Sequence, residues 1–268
     1  MRPRPPGPLL RPGACHVWWA RATTVPPDWR DVLGSAERTR VDHLAFEADR
    51  RRYVAAHVLA RRVLGRYVGT AAADLRFVAA CPRCGGPHGK PALLDARGGD
   101  VEFSLSHSGD WAVVAATVGT PVGVDVERIE PSAVELAGVA EVLTDVERRV
   151  VACLPPAERP AAAVRYWVRK EAALKASGDG LAVPPGALTV SSPRASAAVL
   201  SSGPPWTPGP VRLHDLAERE GYAASVAFLG EAAPQVVELH GAALLAEPAP
   251  AGGSTVSGFG WTPPDAGC

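Results

Sequence analysis

Two kinds of hydrophobic patterning alternate along the chain. From Asp49 to Val68 (DRRRYVAAHVLARRVLGRYV), Tyr53, Ala56, His57, Ala60, Val63, Leu64 and Tyr67 recur at helical spacing, which predicts a long helix with one apolar stripe. A shorter helix is expected before it over Ala36–Ala48, and CHVWWA, Cys15 to Ala20, reads as a strand ahead of both. Compact apolar runs then predict strands at 75–79, 101–105 and 111–118, and another in VGVDVE after Pro121. The order repeats downstream. Helices are expected at Pro131–Ala140, at Thr144–Leu154, where Thr-Asp suits an N-cap, and at Ala157–Ala176. Strands are expected at 188–190, 211–216, 222–228 and 235–239. Each half offers helix and then strands, so the pattern predicts an α+β chain of two similar α/β lobes, 14–121 and 122–247. The division falls near Gly119–Val122, although no sequence repeat stands out between the halves.

Composition narrows the class. The 268 residues are 47% hydrophobic and 21% charged, the balance of a soluble globular protein with one large or two modest domains. Formal net charge is zero, so bulk electrostatics favours neither nucleic acid nor an anionic membrane, and an anionic ligand must be met by local clusters. There is no apolar run of the roughly 20 residues that span a bilayer, and the start, MRPRPPGPLLRPG, lacks the apolar core of a signal peptide. The expectation is a cytoplasmic protein, and an odd cysteine count of five fits a reducing compartment. Residues 1–13 are Pro/Arg-rich and residues 248–268 lack periodicity, so both ends are expected to be disordered. The Ser/Pro/Gly-rich 192–210 stretch reads as a loop with room for a short strand.

Four clusters carry candidate chemistry. In VGVDVE, a strand would project Asp125 and Glu127 to one face while Val124 and Val126 face the core. Paired carboxylates either hold a hard cation such as Mg²⁺ or decorate an exposed edge. In YWVRKEAALKASG, Trp167, Lys170, Glu171, Leu174 and Lys175 fall within half of the helix circumference, with Val168, Ala172, Ala173 and Ala176 opposite. The chain has only three lysines, Lys90, Lys170 and Lys175, so two of them flanking Glu171 is notable. They are either ordinary surface Glu–Lys pairing or a third carboxylate set between point charges for phosphate. FSLSHSGDW, 103–111, ends a strand and turns with hydroxyls, an imidazole and backbone amides, which suits an anion better than a nucleophile, since no G-x-S-x-G elbow is present. In CPRCGGPHGKP, Cys81, Cys84 and His88 have zinc-like spacing but lack a fourth local ligand, so a zinc site and free thiols stand level.

With these motifs in order, the sequence resembles the Sfp-type 4′-phosphopantetheinyl transferases. VGVDVE and WVRKEAALK carry the resemblance, with GKP at 89–91 and FSLSHSGDW as further matches, over roughly Ala36 to Val190. The resemblance implies two lobes related by a pseudo-twofold, binding coenzyme A and Mg²⁺ between them and acting as a monomer. It implies transfer of the phosphopantetheine arm to a serine of an apo acyl or peptidyl carrier protein, with release of 3′,5′-ADP. Carriers of polyketide, nonribosomal peptide or fatty-acid synthases are the implied partners, with no nucleic acid or membrane. By motif, Asp125, Glu127 and Glu171 would hold the metal. Ser106 and His107 would bind coenzyme A phosphates, Gly89, Lys90 and Pro91 would line the nucleotide site, and Lys175 would meet the pyrophosphate. Arg38, Arg40 and Arg51 are candidates for the 3′-phosphate. Glu171 would also take the proton of the incoming serine, and His107 and Lys175 complete the expected catalytic set. Two other readings are a non-catalytic module that binds coenzyme A or a carrier, and a hydrolase built on Ser106 and His107.

Overall fold

The computed structural model describes residues 8–23, 25–80, 85–86, 89–94, 100–129 and 142–247. The helix expected at 131–140, the Cys81/Cys84/His88 cluster and most of both terminal segments lie outside them. Strand β1 (Ala14–Arg21) is followed by helices α1 (Trp29–Val32), α2 (Ser35–His43) and α3 (Glu47–Val68). Two short strands, β2 (Phe77–Val78) and β3 (Ala92–Leu93), precede β4 (Val101–Ser108), β5 (Trp111–Val118) and β6 (Val122–Arg128). Helices α4 (Asp145–Ala152) and α5 (Arg159–Ser177) come next, then β7 (Leu188–Val190), β8 (Val199–Ser202), β9 (Val211–Asp215), β10 (Tyr222–Leu229), β11 (Gln235–His240) and α6 (Ala242–Ala246). No described helix is long and apolar enough to cross a membrane.

One sheet has the order β11-β1-β5-β4 and a second the order β6-β10-β9. Strand β11 pairs in parallel with β1, so the end of the chain completes the first sheet. The two-residue period of β5 explains the layering. Ala112 and Val114 pack with the apolar stripe of α3, while Val113 and Ala115 meet Val122, Val124 and Val126 of β6 and Val226 and Phe228 of β10. The opposite side of β10, at Ala227, packs with Ala172, Ala173 and Ala176 of α5. The layers therefore run helix, sheet, sheet, helix. Val122, Val124 and Val126 are fully buried, each contributing about 1.5–3 kcal/mol by leaving water.

Both long helices stop where the sequence supplies glycine. Gly69 (φ +71°) and Gly178 (φ +81°) take the left-handed conformation that closes α3 and α5. Gly123 has a different task. A Cβ there would lie 2.0 Å from the carbonyl oxygen of Ala172 and 2.3 Å from the amide nitrogen of Ala176. Its absence lets α5 lie directly against β6, which brings the helix motif alongside the carboxylate strand.

Strand β4 runs three residues beyond its expected end at Leu105, through Ser106, His107 and Ser108. Ser-His-Ser-Gly reads as turn chemistry, but the backbone ladder with β5 continues to the Ser108–Trp111 pair and so extends the strand, while the serine hydroxyls accept hydrogen bonds from the amides of β6. The actual turn is Gly109–Asp110, where the Asp110 amide donates to the Tyr222 hydroxyl at 2.9 Å.

Candidate active site

The site forms where β4, β6 and α5 meet. The alternation in β6 sends Asp125 and Glu127 toward α5, opposite the buried valines. Asp125 Oδ1 accepts from Lys175 Nζ at 2.7 Å and from Ser106 Oγ at 2.8 Å, and Lys175 Nζ also lies 3.2 Å from Ser106 Oγ. Glu127 Oε2 accepts from Ser108 Oγ at 2.7 Å, and Trp167 of α5 hydrogen-bonds the same carboxylate. Asp125 is 2% exposed and Glu171 8%, yet Asp125 Oδ2 and Glu171 Oε1 are buried with no hydrogen-bond partner among the described residues. Orphaned carboxylate oxygens are costly unless a cation completes them.

Charge crowding shows in the titration of these groups. Burial, reinforced by the charge of Asp125, pushes Glu127 up to about 7, against the pull of Ser108, Lys175 and Trp167. Burial also raises Glu171 to about 7, with Lys175 opposing and Asp125 adding to the rise. Burial works against the Lys175 ammonium, but Asp125, Glu171 and Glu127 outweigh it and hold its pKa above the usual lysine value. One ammonium thus serves three carboxylates, leaving negative charge for a second cation. Among the described residues no three Asp, Glu, His or Cys side chains converge as a ready-made cage. The donor set still fits Mg²⁺, which takes one or two carboxylates and fills its shell with phosphate oxygens and water.

His107 projects from the other face of β4, as adjacent strand residues must. Burial pushes it down to about 4, aided by the charges of His57, Lys175 and Arg52, so the imidazole is neutral near pH 7. Ser106 is committed to Asp125 and Lys175. The pair therefore does not form the nucleophile and base of a hydrolase.

Lys90 Nζ donates to Glu102 Oε2 and to the Ala176 carbonyl, each at 3.2 Å. This fastens the 89–91 segment to the C-terminal turn of α5, where a cation is favoured by the helix dipole. Of the arginines, half-buried Arg40 acts electrostatically on Tyr53, whose ring stacks on His57 at 3.9 Å. Exposed Arg51 instead lines a separate cleft of about 280 Å³ with Trp29, Asp42 and Arg50. The arginine whose charge reaches His107 is Arg52, which pairs with Asp49 and was not among the expected ligands.

Lys170 corrects the sequence reading most clearly. It lies roughly 140° around the helix from Lys175, at about 100° per residue, and points into the core. There it is fully buried, 2.6 Å from Glu147 Oε2, and donates to the carbonyls of Val142 and Pro185. Glu147 also receives the amides of Thr144 and Val190. Lys170 belongs to a buried structural hub that docks α4 on α5, and only Lys175 shares the face of Glu171.

Comparison with known proteins places most of the chain among relatives of one family. Residues 121–227 match the 4'-phosphopantetheinyl transferase superfamily, and residues 25–119 match the 4'-phosphopantetheinyl transferase N-terminal family. The chain is 30% identical over 237 residues to 4'-phosphopantetheinyl transferase HetI of Nostoc sp., covering 85% of this chain and 93% of that protein. It is 27% identical over 152 residues to 4'-phosphopantetheinyl transferase Sfp of Bacillus subtilis, covering 57% of this chain and 63% of Sfp. With 4'-phosphopantetheinyl transferase psf-1 of Bacillus pumilus it shares 32% identity over 146 residues, 54% of this chain and 58% of the relative. On the extent of the HetI match and the two family matches, this chain belongs to the 4'-phosphopantetheinyl transferase family.

Proposed function

We propose that this protein transfers the phosphopantetheine arm of coenzyme A to a serine hydroxyl of an apo carrier protein, releasing 3′,5′-ADP. The carrying observation is the cluster of Asp125, Glu127, Glu171 and Lys175, whose buried carboxylate oxygens are only partly satisfied. Strand β4 of the expected 14–121 lobe adds Ser106 to it, and β6 and α5 of the expected 122–247 lobe carry the carboxylates, although β11 of that second stretch pairs in the first sheet. Asp125, Glu127 and Glu171 would hold Mg²⁺, which when bound neutralises charge on the pyrophosphate.

The remaining work falls to this chain's own residues. The serine oxygen of the carrier bonds to the phosphorus that bears the pantetheine arm, and the bond from that phosphorus to the bridging oxygen of 3′,5′-ADP breaks. The Lys175 ammonium would offset the charge that develops on pyrophosphate oxygens. Glu171 offers Oε1, with no partner among the described residues, to the departing serine proton. Ser106, neutral His107, Arg40, Arg51 and the 89–91 segment with Lys90 would orient coenzyme A, and Arg52, whose charge acts on His107, is a further candidate for a phosphate contact. The carriers would be domains of polyketide, nonribosomal peptide or fatty-acid synthases, met in the cytoplasm. Incubation with coenzyme A, Mg²⁺ and each apo carrier class tests the reading by intact mass. A gain of one phosphopantetheine arm supports it. No gain with any class, with coenzyme A retained in the complex, favours a binding module instead.

A further inference from the structure

Strands β4 and β6 run side by side in the same direction, with partners offset by 20 residues. They belong to different sheets, and among the described residues no backbone ladder joins them. Three serines of β4 supply acceptors in place of a neighbour's carbonyls. Ser104 Oγ accepts from the Val124 amide at 3.1 Å, Ser106 from Val126 at 3.5 Å and Ser108 from Arg128 at 3.1 Å. A hydroxyl used this way keeps its own proton to donate. Ser106 gives it to Asp125 and Ser108 gives it to Glu127 Oε2 at 2.7 Å. Beside Ser104 the corresponding β6 residue is Gly123, which has no side chain to receive one.

The geometry points to Ser108 as a positioning residue for the transfer site. By bridging the Arg128 amide and the Glu127 carboxylate, it fixes the rotamer in which Glu127 meets a divalent cation. This role rests on the cation reading given above. Among the described residues the other groups holding Glu127 are Trp167 of α5 and the more distant charge of Lys175, so loss of the hydroxyl frees the carboxylate to swing from its place. Hydrogen bonds of this kind behind a metal ligand are typically worth 10–100-fold in affinity. Ser104 is the internal control, because it makes the same strand contact without touching a carboxylate.

The test is Mn²⁺ binding to the full chain, followed by electron paramagnetic resonance of the free ion, alongside thermal melting. Ser108→Ala is expected to weaken Mn²⁺ about tenfold, while Ser108→Thr stays within about threefold and Ser104→Ala within about twofold of the parent protein. Should Ser108→Ala not fold, the isosteric pair Ser108→Thr and Ser108→Val makes the same comparison. Unchanged affinity in the variant lacking the hydroxyl overturns the role. Equal losses in Ser104→Ala and Ser108→Ala also overturn it, because they would mark general strand docking. If the parent protein binds no Mn²⁺, the cation reading itself fails, and the positioning role with it.

Discussion

Replacing Lys170 by methionine separates a structural lysine from a phosphate-binding one. The side chain is fully buried and its ammonium has three acceptors, Glu147 Oε2 at 2.6 Å and the carbonyls of Val142 at 2.8 Å and Pro185 at 3.1 Å. Methionine fills much the same volume but leaves a carboxylate without its counter-ion and takes one donor from each carbonyl, Pro185 keeping the Leu188 amide. Breaking a buried pair from one side costs about 3–5 kcal/mol. For a protein of this size each kcal/mol lowers the melting temperature by about 2–4 °C, so the melt should fall by about 10 °C. The assay is paired: thermal or urea unfolding, and KM for coenzyme A measured well below the lowered melt. We expect a large loss of stability with KM within about threefold of the parent value, because Lys170 faces away from Asp125 and Lys175. Removing both charges together, Lys170→Met with Glu147→Gln, should recover part of the loss, since no carboxylate is then left unpaired and the amide oxygen can still accept from one of the backbone amides that Glu147 serves. A normal melt with a KM raised tenfold or more would refute the assignment (about 1.4 kcal/mol per tenfold) and return Lys170 to the substrate.

Three other outcomes follow from the same geometry. Lys175→Met should cut turnover by about 100-fold or more, the usual cost of losing a charge-stabilising donor, and steady-state kinetics near normal would remove Lys175 from the reaction. Gly123→Ala drives a methyl into the backbone of α5 and should destabilise by about 1–3 kcal/mol or more, read as a shifted urea midpoint. For pH dependence, burial resists ionisation of Asp215, but hydrogen bonds from Arg169 and Ser225 and the charges of Arg169 and Arg165 hold its folded pKa below the usual value. A depressed carboxylate adds stability that is present above its unfolded pKa near 4 and fades as pH falls through the folded one. Asp215→Asn should therefore lower stability at pH 7 and flatten the acid limb between about pH 4 and 2. An unchanged acid limb would count against the Arg169–Asp215 pair as its source.

Most of the architecture was legible in the sequence because it depends on period alone. The WAVVAATV strand and the α3 stripe fall where the alternation and the helical spacing place them, and the valines of VGVDVE are buried as expected. Orientation around a helix was not legible to the same degree. Half a circumference is too broad a criterion to separate Lys170 from Lys175, and the partner that claims Lys170, Glu147, is fixed only by the packing of α4 on α5. The three arginines 50–52 pose the same problem. Each step rotates the side chain by about 100°, so the choice between Arg51 and Arg52 depends on how α3 sits on β4. The end of β4 lies beyond the apolar run because Ser-His-Ser-Gly has turn-forming chemistry, and only the pairing with β5 carries the strand through it. Lys175 already occupies Asp125, and spacing along a strand does not report such competition.

The most direct measurement is stoichiometric. Apo carrier protein, coenzyme A and Mg²⁺ are incubated with the parent protein and with Asp125→Asn, and holo carrier is counted by intact mass against released 3′,5′-ADP. The account predicts equal amounts of the two products with the parent protein, and neither product with an Asp125→Asn variant that retains its fold. Undiminished conversion by Asp125→Asn would contradict it, because the reaction would then proceed without the carboxylate on which the site is built.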